Sequence, residues 1–124
     1  MTRPRYIVLL LILNLFPLIS LGKRTAPKPV PPITQNGVRY TAPNENGRMA
    51  FVIASDAKTG KELWRLTIFE TKIEPFLEED VQWVFITRLE LKGNSLLVQD
   101  ERSGCYQIDL ATRHVTKKNG FLVF

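Results

Sequence analysis

Between Val38 and Lys117 the apolar residues recur mostly at every second position, in short runs cut by turn formers. Period-two spacing places alternate side chains on opposite faces of a strand. Val38 to Thr41 reads as a short strand. Ala42 to Arg48 reads as a loop, because Pro43, Asn44, Asn46 and Gly47 favour turns. Met49 to Asp56 is a strand apolar on both faces, with Phe51 and Ile53 on one and Val52 and Ala54 on the other. Asp-Ala-Lys-Thr-Gly, residues 56–60, then makes a tight turn. The strand that follows puts Trp64, Leu66 and Ile68 on one face and Leu63 and Phe69 on the other.

Glu70 to Asp80 breaks the pattern. Pro75 is incompatible with a central strand and starts, at most, one helical turn to Asp80. Val81 to Lys92 is the longest predicted strand, with Val81, Trp83, Phe85, Thr87, Leu89 and Leu91 on one face. Gly93-Asn94 is a hairpin turn, and Ser95 to Asp100 returns. Cys105 to Leu110 carries Tyr106, Ile108 and Leu110 on one face, and His114 to Lys117 returns after a turn. Asn119-Gly120 is a further hairpin signal, with Phe121 to Phe124 as its partner. No stretch reads as an amphipathic helix of useful length. The pattern predicts an all-β antiparallel meander that forms a small sandwich or an open barrel.

The first 33 residues stand apart. Arg3 and Arg5 precede an apolar stretch, Tyr6 to Ile19, and Ser20-Leu21-Gly22 offers small residues before Lys23. This is the three-part pattern of a secretory signal peptide over residues 1–22. The rival is an uncleaved membrane anchor over residues 6–22, for which the run is short. Residues 23–33 hold Pro27, Pro29, Pro31 and Pro32 and read as a stiff extended linker. A proline-binding partner is the alternative use of that segment. Residues 34–124 form the β domain. The expected address is exported, periplasmic or extracellular.

Charge adds little. The full chain has 17 Lys and Arg against 12 Asp and Glu; without residues 1–22 the balance is 15 against 12, a net +3. The charges are interspersed, so nucleic acid is not an expected partner. One cysteine, Cys105, gives no internal disulfide. Stability must come from burial.

The hairpin at the centre carries a recognisable spacing. Ala54, Asp56, Thr59, Gly60, Lys61 and Trp64 stand as A-x-D-x-x-T-G-K-x-x-W. This resembles the tryptophan-containing repeat of quinoprotein β-propellers, which also occurs in propellers that bind no quinone. The resemblance implies a blade-like unit in which Asp56, Thr59 and Gly60 shape the turn and Trp64 docks on a neighbouring sheet. Asp109 and Thr112 repeat part of the spacing, with Arg113 at the glycine position and no tryptophan after it. A propeller needs about four blades or more, and this chain has strands for one and a half to two. It either assembles with other chains or folds its two meanders onto each other. No residue matches a catalytic or quinone-binding position, so no cofactor is expected.

Other candidates are weaker. The acids Glu70, Glu74, Glu78, Glu79 and Asp80 match no calcium-loop spacing, so a solvated loop is the simpler reading. Alternatively, Ile73, Phe76 and Leu77 within that loop tuck beneath the domain as a lid while the acids face water. His114 has no nucleophile or ligand motif beside it, although Cys105 is a conceivable partner. Cys105 is expected to be partly buried, its functional alternative being a disulfide to another chain. Trp64, Phe69, Trp83, Phe85 and Tyr106 read as core. Two-faced strands leave apolar surface over after a sandwich closes, which points to another protein or self-association. The expected function is a non-catalytic exported module that binds another protein. The alternative is a subunit or remnant of a quinoprotein-like enzyme assembly. A membrane role is expected only if the N-terminal segment stays uncleaved.

Overall fold

A computed structural model describes residues 25–118. The predicted signal peptide and the predicted Asn119-Gly120 hairpin lie outside the described residues. β1 (Ile33–Gln35), β2 (Val38–Thr41), β3 (Met49–Asp56) and β4 (Glu62–Glu70) form one antiparallel sheet in that order. β5 (Ile86–Lys92), β6 (Ser95–Asp100), β7 (Cys105–Asp109) and β8 (Val115–Lys118) form a second. Each is a meander in which every strand pairs with the next. Among the described residues neither sheet closes into a barrel, and the sole helical element is a 3₁₀ turn at Asp80–Gln82. The fold is an all-β sandwich.

Local chemistry explains most of the turns. Asn36 (φ 53°) and Gly37 (φ 76°) both take positive φ, as a two-residue hairpin turn between β1 and β2 requires. The sequence reading missed this hairpin and its first strand, although Asn-Gly is a strong signal for one. Gly93 (φ 59°) closes the turn between β5 and β6 as expected.

The longest predicted strand is corrected. β5 begins at Ile86, not Val81. The residues before it use their backbone groups elsewhere: Val84 N–H donates to the Gly47 carbonyl at 3.1 Å, and Phe85 N–H to Glu101 Oε1 at 3.1 Å. A bulge between Ile86 and Arg88 then shifts the alternation. Ile86 and Leu89 both enter the core while Thr87 is exposed, so the predicted face running from Val81 to Leu91 does not form.

The core lies between the sheets. Ala50, Val52 and Ala54 of β3 meet Leu89, Leu96, Val98, Tyr106 and Ile108 of the second sheet, with Trp64 and Leu66 partly buried beside them. A bulge between Ala50 and Phe51 brings Phe69 to the core as well, where the sequence pattern had placed it on the opposite face from Trp64. Its ring stacks on Tyr106 with centroids 5.1 Å apart. Val30 of the proline-rich segment packs against the same core, and Pro27 and Pro29 border a crevice with Phe85 and Thr87. That end of the segment lies on the domain.

The sheets stack in a particular sense. Each has a turn aspartate between its third and fourth strands, Asp56 and Asp109. The residue two before it defines a front face, and the residue immediately before it a back face. In the first sheet the front residue, Ala54, is in the core, whereas in the second it is the back residue, Ile108. The front of the first sheet therefore packs on the back of the second. The back of the first sheet and the front of the second face outward; both carry polar residues at several positions whose counterparts are apolar, alongside Phe51 and Ile53 on the first and Leu97 on the second. Arg39, Ser55 and Glu62 form a row matching the inward row of buried Leu96 and Ile108 and partly buried Val115. Glu90, Leu97, Gln107 and Thr116 stand where the first sheet has Ile33, Tyr40, Ala54 and Trp64, so that row is polar except at Leu97.

Candidate docking site

The turn after β3 is built by its own side chains. Asp56 Oδ1 accepts from the backbone N–H of Lys58 at 2.8 Å and of Thr59 at 2.9 Å, and Thr59 Oγ1 accepts from Lys61 N–H at 3.2 Å. Gly60, at φ 76°, donates to the Asp56 carbonyl. The amides of Thr59 and Lys58 hold the Asp56 carboxyl below its ordinary pKa. The turn after β7 repeats this geometry. Asp109 Oδ1 accepts from Ala111 at 2.8 Å and Thr112 at 3.1 Å, and Thr112 Oγ1 from His114 N–H at 3.3 Å. Arg113 occupies the glycine position at φ 63°. Its guanidinium lies 5.1 Å from the Trp64 ring centroid. The second turn thus covers the tryptophan of the first sheet. Trp64 also meets the Tyr40 ring at 6.0 Å across Ala54, a residue small enough to let both rings approach.

Asn44 fastens the two sheets together. Its Nδ2 donates to the Ile86 carbonyl at 2.8 Å, and its Oδ1 accepts from Ile86 N–H at 3.0 Å. The side-chain amide acts as one residue of a neighbouring strand. The sequence marked Asn44 only as a turn former.

The candidate chemistry does not assemble. Cys105 is fully buried, with Sγ 3.7 Å from the Ser103 carbonyl, so a disulfide to another chain is closed to the folded molecule. His114 is exposed beyond one end of the β7–β8 hairpin, and Cys105 begins β7 at the other end, paired with Lys118. Four residue steps of strand separate their levels, a span of about 13 Å. Among the described residues no group of three or more His, Cys, Asp or Glu side chains is placed to hold a metal ion. No described helix is long and apolar enough to cross a membrane.

The acidic segment is a solvated loop and not the alternative lid. Phe76 is 97% exposed and Leu77 62% exposed, so neither tucks under the domain. Pro75 sits second in a turn closed by Leu77 N–H to the Glu74 carbonyl, not in a helical turn. Gln82 fixes the loop. Its Oε1 accepts from Glu74 N–H at 2.7 Å, and its Nε2 reaches the carbonyls of Glu74, Leu77 and Glu78 at 3.0–3.3 Å. Glu79 turns back to the body, bonding the Trp83 indole at 3.2 Å and pairing with Arg48 at 3.4 Å. Phe76 is therefore held out on a knob whose backbone is already ordered. Met49, Phe51 and Ile73, together with Glu45, Asn46, Arg48, Glu70 and Thr71, border an open hollow of about 650 Å³ on the back of the first sheet. Arg65 lies over the Phe51 ring at 4.7 Å.

The large hydrophobic residues that remain exposed among the described residues are Met49, Leu63, Phe76, Leu77 and Val81. All come from β3, β4 or the segment that follows β4. Period and composition could not separate this outward loop from an inward one; the signal lies in Gln82, whose amide has no local strand partner to serve. No protein-family model matches this chain, and no characterised protein matches it significantly.

Proposed function

We propose that this protein is an exported, non-catalytic module that binds protein through the acidic-loop end of its first sheet. The observation that carries the reading is the placement of the large hydrophobics exposed among the described residues: Met49, Phe76, Leu77 and Val81 lie at or beyond the Met49–Glu70 end of the first sheet, Leu63 lies toward its other end, and the strands of the second sheet carry none. Scattered exposed apolar residues need no explanation, but a cluster with polar surroundings marks an interface. Phe76 has the attributes of an anchor, being large, aromatic and preset. The N-terminal pattern supports delivery outside the cytoplasm.

The same reading treats the two sheets as a pair of propeller-type blades. The Asp-x-x-Thr turn occurs once in each, and Trp64 leans on the second as that repeat implies. The binding surface then lies on scaffold strands and a pinned loop, so it needs no reorganisation to present itself. A photo-crosslinking residue at position 76, compared with one at Gln107 on the polar outward face, tests this in the native host. Protein adducts at 76 and none at 107 are expected. Equal labelling at both positions, or none at 76, refutes the reading.

A further inference from the structure

We propose that the crevice between the end of β4 and the strands β7 and β8 binds a small aromatic carboxylate. Lys117, Arg102 and Lys72 hold the anion, and its ring rests against Phe69, Tyr106 and Val84. This site is separate from the binding role assigned to Phe76 and does not depend on it.

The crevice opens between the two sheets and has a volume of about 350 Å³, at the small end of the range for ligand sites. Its apolar side is Val84 and the stacked pair Phe69 and Tyr106, which suits an aromatic body. Three cations border it from three separate segments: Lys72 after β4, Arg102 in the turn between β6 and β7, and Lys117 on β8. Two carboxylates border it as well, and they differ in availability. Asp100 is only 6% exposed, and its Oδ1 accepts from the backbone N–H of Arg102 and of Gly104, both at 2.8 Å. Its charge is engaged by its own turn. Glu70 is exposed at the end of β4. Three cations therefore face one available carboxylate, and none of the three is committed. Lys117 has no ion pair among the described residues, and its Nζ lies 5.9 Å from the Tyr106 ring centroid. Arg102 gives one long bond, 3.4 Å, to the Gln82 carbonyl, and a guanidinium keeps further donors for a bidentate carboxylate contact. Lys72 meets Glu74 at 3.8 Å with 89% of its side chain exposed, a weak pair. Thr71, which borders both this crevice and the hollow on the back of the first sheet, keeps a buried hydroxyl without a partner. The modest excess of positive charge suits a monoanion better than a phosphate dianion, and disfavours an ammonium.

The test is equilibrium dialysis of the protein purified from its host against phenylacetate. Phenylethanol and phenylethylamine serve as neutral and cationic compounds with the same ring, and acetate as the anion without it. Saturable binding of phenylacetate, tighter than that of the other three, is expected. Lys117→Gln and Arg102→Gln should each weaken it about tenfold, because each removes a charge-assisted contact. Both side chains are exposed, so the fold tolerates either change. Lys92→Gln, at the opposite end of the β5–β6 pair, should leave the binding unchanged. Tighter binding of phenylethylamine would make Asp100 and Glu70 the recognition groups and overturn the anion assignment. Equal binding of all three ring compounds would reduce the crevice to an apolar surface and overturn it as well. Acetate bound as tightly as phenylacetate would overturn the aromatic half of the proposal. Phenylacetate binding that ignores both glutamine variants would place it elsewhere on the protein, and no saturable binding of any probe would overturn the site altogether.

Discussion

Replacing Asn44 should do more damage than its loop position suggests. Both bonds of its side-chain amide end on the backbone of Ile86, which is only 1% exposed. Truncation leaves one N–H and one C=O without their partner at the junction of the sheets. An unsatisfied buried polar group costs about 1–3 kcal/mol, so two give about 3 kcal/mol after partial rescue by water. Asn44 also sits at φ 52°, where an alanine pays about 1 kcal/mol and a glycine almost nothing. Asn44→Gly is therefore expected to lose about 3 kcal/mol and Asn44→Ala about 4 kcal/mol. A domain of this size has a total stability of about 5–14 kcal/mol, so either variant lowers the melting temperature by more than about 10 °C. Urea unfolding followed by tryptophan fluorescence and by far-ultraviolet circular dichroism measures both. Asn44→Asp should resemble the glycine variant or fall below it, since a carboxylate then faces the Ile86 carbonyl. A loss under about 1 kcal/mol for all three would refute the idea that this amide splices the sheets. Equal losses for alanine and glycine would refute the backbone part alone.

Three further outcomes follow from the turns and the core. Arg113→Gly relieves a positive φ but uncovers Trp64, whereas Arg113→Ala keeps the strain and loses the contact; alanine should be the less stable by about 1 kcal/mol in urea unfolding. Asp56 has a carboxyl pKa lowered from 3.8 by the amides of Thr59 and Lys58, so its contribution is complete above that value and fades as pH falls through the lowered one; Asp56→Asn should flatten the acid limb of a stability–pH profile. Cys105 should resist thiol reagents in the native protein and react at the rate of global or large-scale opening, so rapid labelling without denaturant would contradict its burial.

The parts legible in the sequence are those fixed by neighbours. Ala54 to Trp64 announces its hairpin because Asp56, Thr59 and Gly60 satisfy a turn among themselves. Asp109 and Thr112 announce the second turn for the same reason. Arg113 looked like a degraded glycine, yet it is the residue that covers Trp64, and nothing local indicates that. β5 was overextended because Trp83 and Phe85 satisfy a period-two pattern while their segment bonds to distant Gly47 and Glu101. The outward turn of Phe76 was missed because Gln82, not hydrophobicity, decides it. The Asn44 clasp is invisible for a related reason: its partner lies forty-two positions away.

The stacking of front upon back has a consequence for how this chain stays finite. A contact that joins unlike faces does not close after one use; by itself it specifies an endless column. Here Arg39, Ser55 and Glu62 at one end, and Glu90, Gln107 and Thr116 at the other, replace apolar counterparts and disfavour another round, although Leu97 keeps the apolar character of its row. These six positions are end stops. Turning the first set into leucine, isoleucine and valine would rebuild the surface that the second sheet offers to Trp64, and matching changes at the other end would let each molecule accept the next. Fibre growth is the expected behaviour of a chain so substituted at both ends.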